Sequence, residues 1–384
     1  MVVVERVAVE RFPVSSPALR DLFGLEALPL AMASLRLELG DCPLGLANAL
    51  RRAMTDELPS YALEPPAGFD LEATTERHMV PGFVGQYCVA LLRLPYHVPP
   101  EVARRTLFHL DVANDSPVAR PVFAGDLVAE GPPLLRPLFN PTVQIALVQP
   151  GRRLVMRGIR IARGRGFEHS KFQVGVRGRL EPLDVPEHPR AETHAPGGAR
   201  VDESGFAVST HVAEPRRFAL TVELNATAEE DGPLGAVAVA ADACADLLAR
   251  LRGVAALCAG GPGGGGGGSF LAKELEAGLA EEALTLPGEA ASLGGLLVCA
   301  ALAVEPGDGP AFAAFRVDDQ ERVMTLTLRR RGDSPPLLAR AAAWAARAVG
   351  DVLAGLPAAA GDPKLSFAPA ARRPPVFAGE PETK

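Results

Sequence analysis

The sequence predicts an α+β fold made of two units that share a β-α-β-β-α pattern, with a mainly β domain inserted into the first. Three observations support this fold class. A strand-then-helix pattern at residues 33–52 is repeated in weaker form at residues 283–297. Each occurrence is followed, after further strands, by a long amphipathic helix. A Gly-rich run, AGGPGGGGGGS, separates the two units.

A short helix predicted at Leu44–Arg52 organises the first unit. It follows an alternating stretch, Ala33–Leu39, whose leucines all face one side and indicate a half-buried strand. We expect Asp41 near the start of the helix and Pro59 just beyond its end.

Periodicity assigns part of this helix to the core and leaves part unexplained. The apolar residues at helical spacing are Leu46, Ala49, Leu50, Ala53 and Met54. Burying the larger ones is worth roughly 1.5–3 kcal/mol each before entropy is counted. Asn48, Arg51 and Arg52 lie off this stripe, so core packing does not explain them.

The stretch between about residues 66 and 165 is rich in strands, loops and prolines. The strand before it, residues 60–65, is assigned to the first unit. A compact charged loop, Arg163–Phe172, ends the insertion and carries Glu168, His169 and Lys171. The alternating stretches 172–180 and 217–224 then predict two more strands of the first unit.

The clearest helix lies at residues 232–258. Its apolar residues step by three and four, a seam suited to packing along another helix: Val237, Ala240, Cys244, Leu247, Leu251, Val254 and Cys258. The glycines that follow predict a flexible tether, because a phosphate-binding loop would need Gly-Lys-Ser/Thr after them.

The second unit repeats the pattern with a strand at 283–286, a helix and two strands at 311–317 and 322–329. Leu293, Leu296, Leu297 and Ala300 form the apolar face of its first helix. Its last helix, of about twenty residues, is striped by Leu338, Ala341, Ala345, Val349, Val352 and Leu356. We predict that the two units pair within one chain. A ten-residue tether spans about 16–19 Å, which also permits exchange between two chains.

These patterns predict five segments. Residues 1–66 and 170–258 form the first pairing domain, and residues 67–169 form the inserted domain. Residues 259–270 are the linker, residues 271–357 form the second pairing domain, and residues 358–384 form a disordered tail.

Composition favours protein partners over nucleic acid. The formal net charge is −7, which argues against a protein whose main task is to bind phosphates. Five scattered cysteines have no zinc-ligand or CxxC spacing, so we expect neither a disulfide framework nor a metal site. The charged start of the chain indicates no signal peptide, and no segment is apolar enough to predict a membrane span.

Motifs for catalysis are weak. The common hydrolase, metalloprotease and dinucleotide motifs are missing, and His188 and His194 lack carboxylates at ligand spacing. The cluster of Glu168, His169 and Lys171 leaves one enzymatic hypothesis open, an active site in the inserted domain near His169.

Four stretches resemble the alpha-like assembly subunits of cellular RNA polymerases. The helix LANALRR at residues 46–52, followed by Leu58-Pro59, resembles the signature helix of the larger subunit. The loop GFEHSKF at 166–172 resembles its Gly…Glu-His-Ala-Lys-Trp loop, with Ser and Phe in place of Ala and Trp. ASLGGLL at 291–297 and FAAFRV at 312–317 resemble the smaller partner, with Gly295 where that family has Asn.

The resemblance covers about residues 33–357 and implies that larger and smaller subunits are fused, as in some large cytoplasmic DNA viruses. It implies a non-catalytic subunit of a DNA-directed RNA polymerase. Some relatives hold a cysteine cluster or iron–sulfur ligands in the inserted domain, but Cys88 is alone there, so we expect no cofactor and no structural metal. The large-subunit docking residues it implies are Asn48, Arg51, Arg52, Glu168, His169 and Lys171, with Asn48 fixing the local backbone. The pairing residues are Leu46, Leu50, Val237, Cys244, Leu247, Leu251, Leu293, Leu296, Leu297, Phe312, Phe315, Trp344 and Val349.

The partners implied are the two large polymerase subunits, mainly the second-largest, and small zinc-binding subunits. Little direct DNA contact and no membrane contact are expected. The implied location is the host cytoplasm and virion if the chain is viral, with the nucleus as the alternative. Besides the enzymatic hypothesis, a generic tethered pairing module that recruits another complex remains open.

Overall fold

The computed structural model describes residues 1–13, 30–65, 88–96, 98–132, 138–184, 215–228, 232–260, 268–275, 279–289, 291–304, 312–318, 323–331 and 336–359. Within these residues helices and strands both make large contributions, which confirms the α+β class. The predicted linker residues 261–267, His188 and His194, and the tail from residue 360 lie outside the described residues.

The strands are β1 (Val3–Pro13), β2 (Leu30–Gly40), β3 (Pro59–Glu64), β4 (Leu107–Asn114), β5 (Arg120–Phe123), β6 (Val128–Glu130), β7 (Gln144–Val148), β8 (Arg152–Arg165), β9 (Gly175–Pro182), β10 (Phe218–Ala228), β11 (Ser269–Glu274), β12 (Leu279–Pro287), β13 (Phe312–Asp318) and β14 (Val323–Arg331). The helices are α1 (Leu44–Arg52), α2 (Pro100–Arg105), α3 (Gly232–Cys258), α4 (Ala291–Val304) and α5 (Leu337–Ala359). A π-helical turn, Ala53–Glu57, continues α1.

Two antiparallel sheets have the same construction. Their strand orders are β1-β2-β10-β9 and β11-β12-β14-β13. In each, a short helix follows the second strand and a long helix follows the last one. Apart from the strand at residues 60–65, the first unit contains its predicted strands and helices, as does the second unit. Each unit also has one additional strand at its start.

The sequence patterns predict neither of the additional strands. Residues 1–32 carry no motif, yet β1 pairs with β2 along most of its length. The predicted linker 259–270 overlaps β11, which pairs with β12 from Ser269↔Thr285 to Glu274↔Ala280. Most of β11 is exposed, so its sequence lacks the apolar alternation that identifies a half-buried strand.

The strand after α1 was assigned to the wrong sheet. β3 pairs with β8, from Pro59↔Arg165 to Glu64↔Arg160, in a sheet of order β3-β8-β4-β6. Its Leu63 is fully buried in the core of the inserted domain. Alternation predicts a strand but not its partner, because strand pairing depends on residues that lie about a hundred positions further along the chain.

Both pairing units contribute to one apolar core. α3 runs along α5, and α1 lies against α4. The predicted stripe of α1 is buried throughout, and its five members are at most 2% exposed: Leu46, Ala49, Leu50, Ala53 and Met54. The inserted domain has a separate core in which the rings of Phe108 and Phe139 pack at a tilt of 58°, with centroids 5.3 Å apart.

The start and end of the helices differ slightly from expectation. Asp41 does not cap α1. The residue at the N-cap position of that helix is Pro43, and no side chain forms a capping hydrogen bond there. Asp41 instead adopts a left-handed turn, with φ of 48°, and accepts a hydrogen bond of 2.8 Å from Arg216. α5 continues to Ala359 with Pro357 inside it. None of the helices in the described segments is both long and apolar enough to span a membrane.

Candidate docking surface

The residues of α1 that periodicity left unexplained lie together beside the buried stripe. Asn48, Arg51 and Arg52 are each half-buried. The Nε of Arg51 donates a 3.0 Å hydrogen bond to Oδ1 of Asn48. Asn48 therefore holds a guanidinium rather than the backbone that the family resemblance implied. Burial, followed by the charge of Arg52, lowers the pKa of Arg51, but an arginine stays protonated at neutral pH.

Glycines on β9 allow the sheet to approach this helix closely. A Cβ atom at Gly178 would lie 2.8 Å from Cγ2 of Thr55 and 3.0 Å from Cγ of Arg51. A Cβ atom at Gly175 would lie 3.0 Å from Cγ2 of Thr55. The stem of Arg51 thus rests on the sheet, which restricts where its guanidinium can reach.

The π-helical turn joins α1 to the charged loop. The N–H groups of Val174 and Phe167 donate to the carbonyls of Thr55 and Asp56, each over 3.0 Å. Two side chains add further hydrogen bonds between the loop and the turn. Gln173 Nε2 donates to Asp56 Oδ1 over 2.9 Å, and Arg165 Nη1 donates to the Glu57 carbonyl over 2.9 Å. The loop and the end of α1 are therefore one connected surface element.

A residue outside both motifs also anchors the loop. The Nη1 of Arg93 donates to the carbonyls of Ser170 and Gln173, over 3.2 and 3.1 Å. Burial lowers the pKa of Arg93. Its position before the proline-rich part of the insertion gives no sequence signal for this contact.

The three loop residues are engaged with their own surroundings. Glu168 Oε2 accepts from the Arg165 N–H over 2.9 Å, and Nδ1 of His169 accepts from the Lys171 N–H over 3.1 Å. Lys171 Nζ lies 2.9 Å from Oε1 of Glu64 and 4.8 Å from the centre of the Phe172 ring. Glu168 and His169 remain exposed, whereas the Lys171 side chain is only 12% exposed. The loop thus fixes three charged or polar groups rather than aiming them at one reacting atom.

Most of the thirteen predicted pairing residues lie in the shared core. Those that are buried are Leu46, Leu50, Val237, Cys244, Leu247, Leu251, Leu293, Leu296, Leu297 and Val349. Trp344 packs at the margin of the core. Phe315 is 38% exposed because β13 is an edge strand, and its ring covers Gly294. The side chain of Phe312 lies outside the described part.

Sequence reasoning missed a buried ionic network next to this surface. Glu57, at the end of the π-helical turn, places Oε2 2.6 Å from Nη1 of Arg250 on α3. The guanidinium of Arg250 also lies 3.4 Å from Asp246 Oδ2, and its Nε donates to Glu289 Oε2 over 2.9 Å. The hydroxyl of Ser292 donates to the second oxygen of Glu57.

This network joins both pairing units. Burial opposes charge on Arg250, but the carboxylates of Glu289, Glu57 and Asp246 outweigh it and hold the pKa of Arg250 well above its ordinary value. The one sequence signal was the acid–base spacing of Asp246 and Arg250, four residues apart on one helix. Within the described segments, no group of three or more His, Cys, Asp or Glu side chains is arranged to hold a metal ion.

Comparison with known proteins supports the motif resemblance. No protein-family model matches the chain. The chain is 29% identical over 212 residues to proteins named DNA-directed RNA polymerase RPB3-11 homolog, from a Kenyan pig isolate and a South African tick isolate of African swine fever virus. The match covers 54% of this chain and 56% of each relative, so the chain spans about half the length of the relatives it matches. These relatives confirm the resemblance of the chain to fused alpha-like polymerase subunits.

Proposed function

We propose that the chain is a non-catalytic assembly subunit of a multi-subunit DNA-directed RNA polymerase. The observation that carries this proposal is the agreement between the motifs and the named relatives, which points to the larger and smaller assembly subunits in one chain. In this proposal the chain pairs its two units, docks the two large catalytic subunits and so supports transcription without taking part in the chemistry.

The two units form an intramolecular pseudo-dimer in this proposal. Support comes from the core that α1, α3, α4 and α5 share and from the like construction of the two sheets. The pairing of β3 moves the proposed end of the first segment from residue 66 to residue 58. The other proposed boundaries are 170–258 for the return to the first domain and 269–357 for the second domain.

The docking surface consists of Asn48, Arg51 and Arg52 with the adjoining Glu168, His169 and Lys171. Arg51 and Arg52 contact the second-largest subunit in this proposal, because planar guanidinium groups bind carbonyl and carboxylate oxygens in pairs. The hydrogen bonds between the π-helical turn and the loop support a single surface, since they fix the two sets relative to each other.

The same proposal extends to the remaining partners. Small zinc-binding polymerase subunits bind the assembled platform, and direct contact with DNA is minor. The polymerase acts in the host cytoplasm and is carried in the virion, as the viral origin of the relatives suggests.

Copurification tests the proposal. The chain would be tagged and expressed in its native context, and the proteins recovered with it would be identified by mass spectrometry. We expect the two large polymerase subunits in amounts comparable to the tagged chain. Recovery of a folded tagged chain without either large subunit would contradict the proposal.

A further inference from the structure

The inserted domain contains a basic groove whose lining residues differ from the six proposed docking residues. It lies where β3 and β8 run past the end of α2 and encloses about 670 Å³. Tyr61 and Ile161 form part of its wall, and three arginines line it: Arg104, Arg160 and Arg163. The groove has the concave shape and the positive charge of a binding site for an anion.

Two of these arginines are available to a ligand. Arg160 and Arg163 are exposed on β8, and the described residues offer them neither an ion pair nor a side-chain hydrogen bond. Glu64 lies opposite Arg160 in the β3–β8 register, but its carboxylate is 2.9 Å from the amine of Lys171.

Arg104 is the third guanidinium of the groove and is partly engaged. Its Nε donates to the Pro100 carbonyl over 3.2 Å, and its Nη2 lies 3.8 Å from the exposed Glu101. Two carboxylates therefore stand near three guanidinium groups, and Glu64 is already paired elsewhere. The groove keeps a positive excess.

A buried hydroxyl gives a second, independent observation. Thr106 lines the groove and is 1% exposed. In the part of the chain that the structure describes, its Oγ1 is buried and has no hydrogen-bond partner. A buried polar atom in this state costs stability, so such atoms in folded proteins usually have a partner. A ligand oxygen in the groove would supply it.

The charge of the surrounding segment agrees with an acidic ligand. Residues 88–184 carry fourteen Arg and Lys against eight Asp and Glu, a net charge of +6, whereas the whole chain carries −7. A long polyanion such as RNA is repelled by the rest of the chain, while a short acidic peptide senses mainly the local field. The charge distribution thus favours a short acidic segment, such as a stretch of a partner protein, over a long nucleic acid.

We propose that this groove binds an acidic segment of a partner protein. Arg160 and Arg163 hold its carboxylates through paired N–H···O hydrogen bonds, and Tyr61 and Thr106 present hydroxyls beside them. The proposal is independent of the polymerase assembly function, because it concerns different residues and can be tested without polymerase subunits.

Fluorescence anisotropy with the full-length chain tests it. The probe is a short fluorescein-labelled peptide of alternating Glu and Ala, and the matched peptide carries Gln in place of Glu. We expect only the Glu peptide to bind. Replacing Arg160→Ala and Arg163→Ala together should weaken binding roughly tenfold or more. Arg157→Ala with Arg177→Ala removes the same charge outside the groove and should change affinity by less than about threefold.

Thr106→Val separates binding from folding. It removes the unpartnered hydroxyl at nearly constant shape, so the melting temperature should hold or rise while affinity for the Glu peptide falls. Equal binding by the Arg160→Ala, Arg163→Ala variant would overturn the proposal. Failure of the Glu peptide to bind, or tighter binding of a single-stranded RNA of similar length, would overturn it as well.

Discussion

The carboxylate of Glu57 lies 2.6 Å from the guanidinium of Arg250, and both side chains are almost completely buried. Glu57 also accepts a hydrogen bond from Ser292, 235 positions further along the chain. One side chain at the end of the α1 segment therefore contacts the long helix of its own unit and the first helix of the other. The network thus connects the end of the α1 segment, which adjoins the proposed docking surface, to helices of both units.

Removing the central cation of this network should destabilise the fold strongly. Arg250→Met leaves Glu57, Asp246 and Glu289 buried with less compensating charge. We expect the free energy of unfolding to fall by about 3–5 kcal/mol, the range for breaking a buried ion pair. Denaturant titration followed by circular dichroism measures this change.

Arg217→Ala is the matched control for that experiment. Arg217 pairs with Glu5 at the surface, where its side chain is 49% exposed, so its loss should lower the free energy of unfolding far less than the loss of Arg250 does. Equal losses in the two variants would show that the buried network does not stabilise the contact between the units.

Two glycines provide a paired test of the contact between α1 and α4. A Cβ atom at Gly45 would lie 2.5 Å from Cβ of Cys299, whereas one at Gly295 would find nothing nearer than the Phe315 ring at 3.9 Å. Gly45→Ala should therefore lower stability by about 1–3 kcal/mol through overpacking. Gly295→Ala should leave it unchanged or raise it by up to about 1 kcal/mol, because alanine favours a helix. Thermal unfolding of both variants decides the matter, and a stable Gly45→Ala protein would contradict the packing described.

The buried thiol of Cys244 should make stability depend on alkaline pH. Burial raises its pKa from an ordinary value of 9.0 to about 12. Below pH 9 the thiol is protonated in both states. Between pH 9 and 12 only the unfolded chain releases the proton, so the free energy of unfolding should fall with rising pH, by roughly 1.4 kcal/mol per pH unit.

Cys244→Ala isolates this contribution from other groups that titrate in the same range. The free energy of unfolding of both proteins would be measured by urea titration at pH 8 and at several values between pH 9 and 12. It should fall less steeply with pH in the variant than in the unaltered chain. Identical slopes would mean that the thiol is not buried as described.

The sequence predicted the elements whose signal is local. Helical periodicity identified α1, α3, α4 and α5 because each buries a continuous apolar stripe, and the stripe of α1 proved buried residue by residue. The charged loop was also found, because its motif is contiguous. The edge strand β11 was missed because Leu271 and its neighbours are mostly exposed and give no alternation.

Features that depend on distant residues could not be predicted. β3 has the pattern of a strand, but its pairing with β8 is set by residues in the insertion. Glu57 follows the helix predicted at residues 44–52 and belongs to no sequence motif, and only the fold brings Arg250 and Ser292 to it. Asn48 was expected to hold the backbone and holds Arg51 instead.

The central claim, that Arg51 and Arg52 belong to a surface that docks a large polymerase subunit, can be tested on the folded chain. Arg51→Ala with Arg52→Ala removes two half-buried guanidinium groups that lie off the apolar stripe. Such a change removes the packing of the Arg51 stem and its hydrogen bond to Asn48 but leaves the apolar stripe intact. It should cost about 0.5–1.5 kcal/mol, so the variant should fold. Arg252→Ala with Arg347→Ala removes two exposed arginines from the long helices and serves as the control.

The direct measurement is quantitative mass spectrometry of the large polymerase subunits recovered with each tagged variant, alongside circular dichroism of the purified chains. We predict that the Arg51→Ala, Arg52→Ala variant stays folded and loses most of the second-largest subunit, while the control recovers as much as the unaltered chain. Undiminished recovery with the first variant, or its failure to fold, would contradict the account.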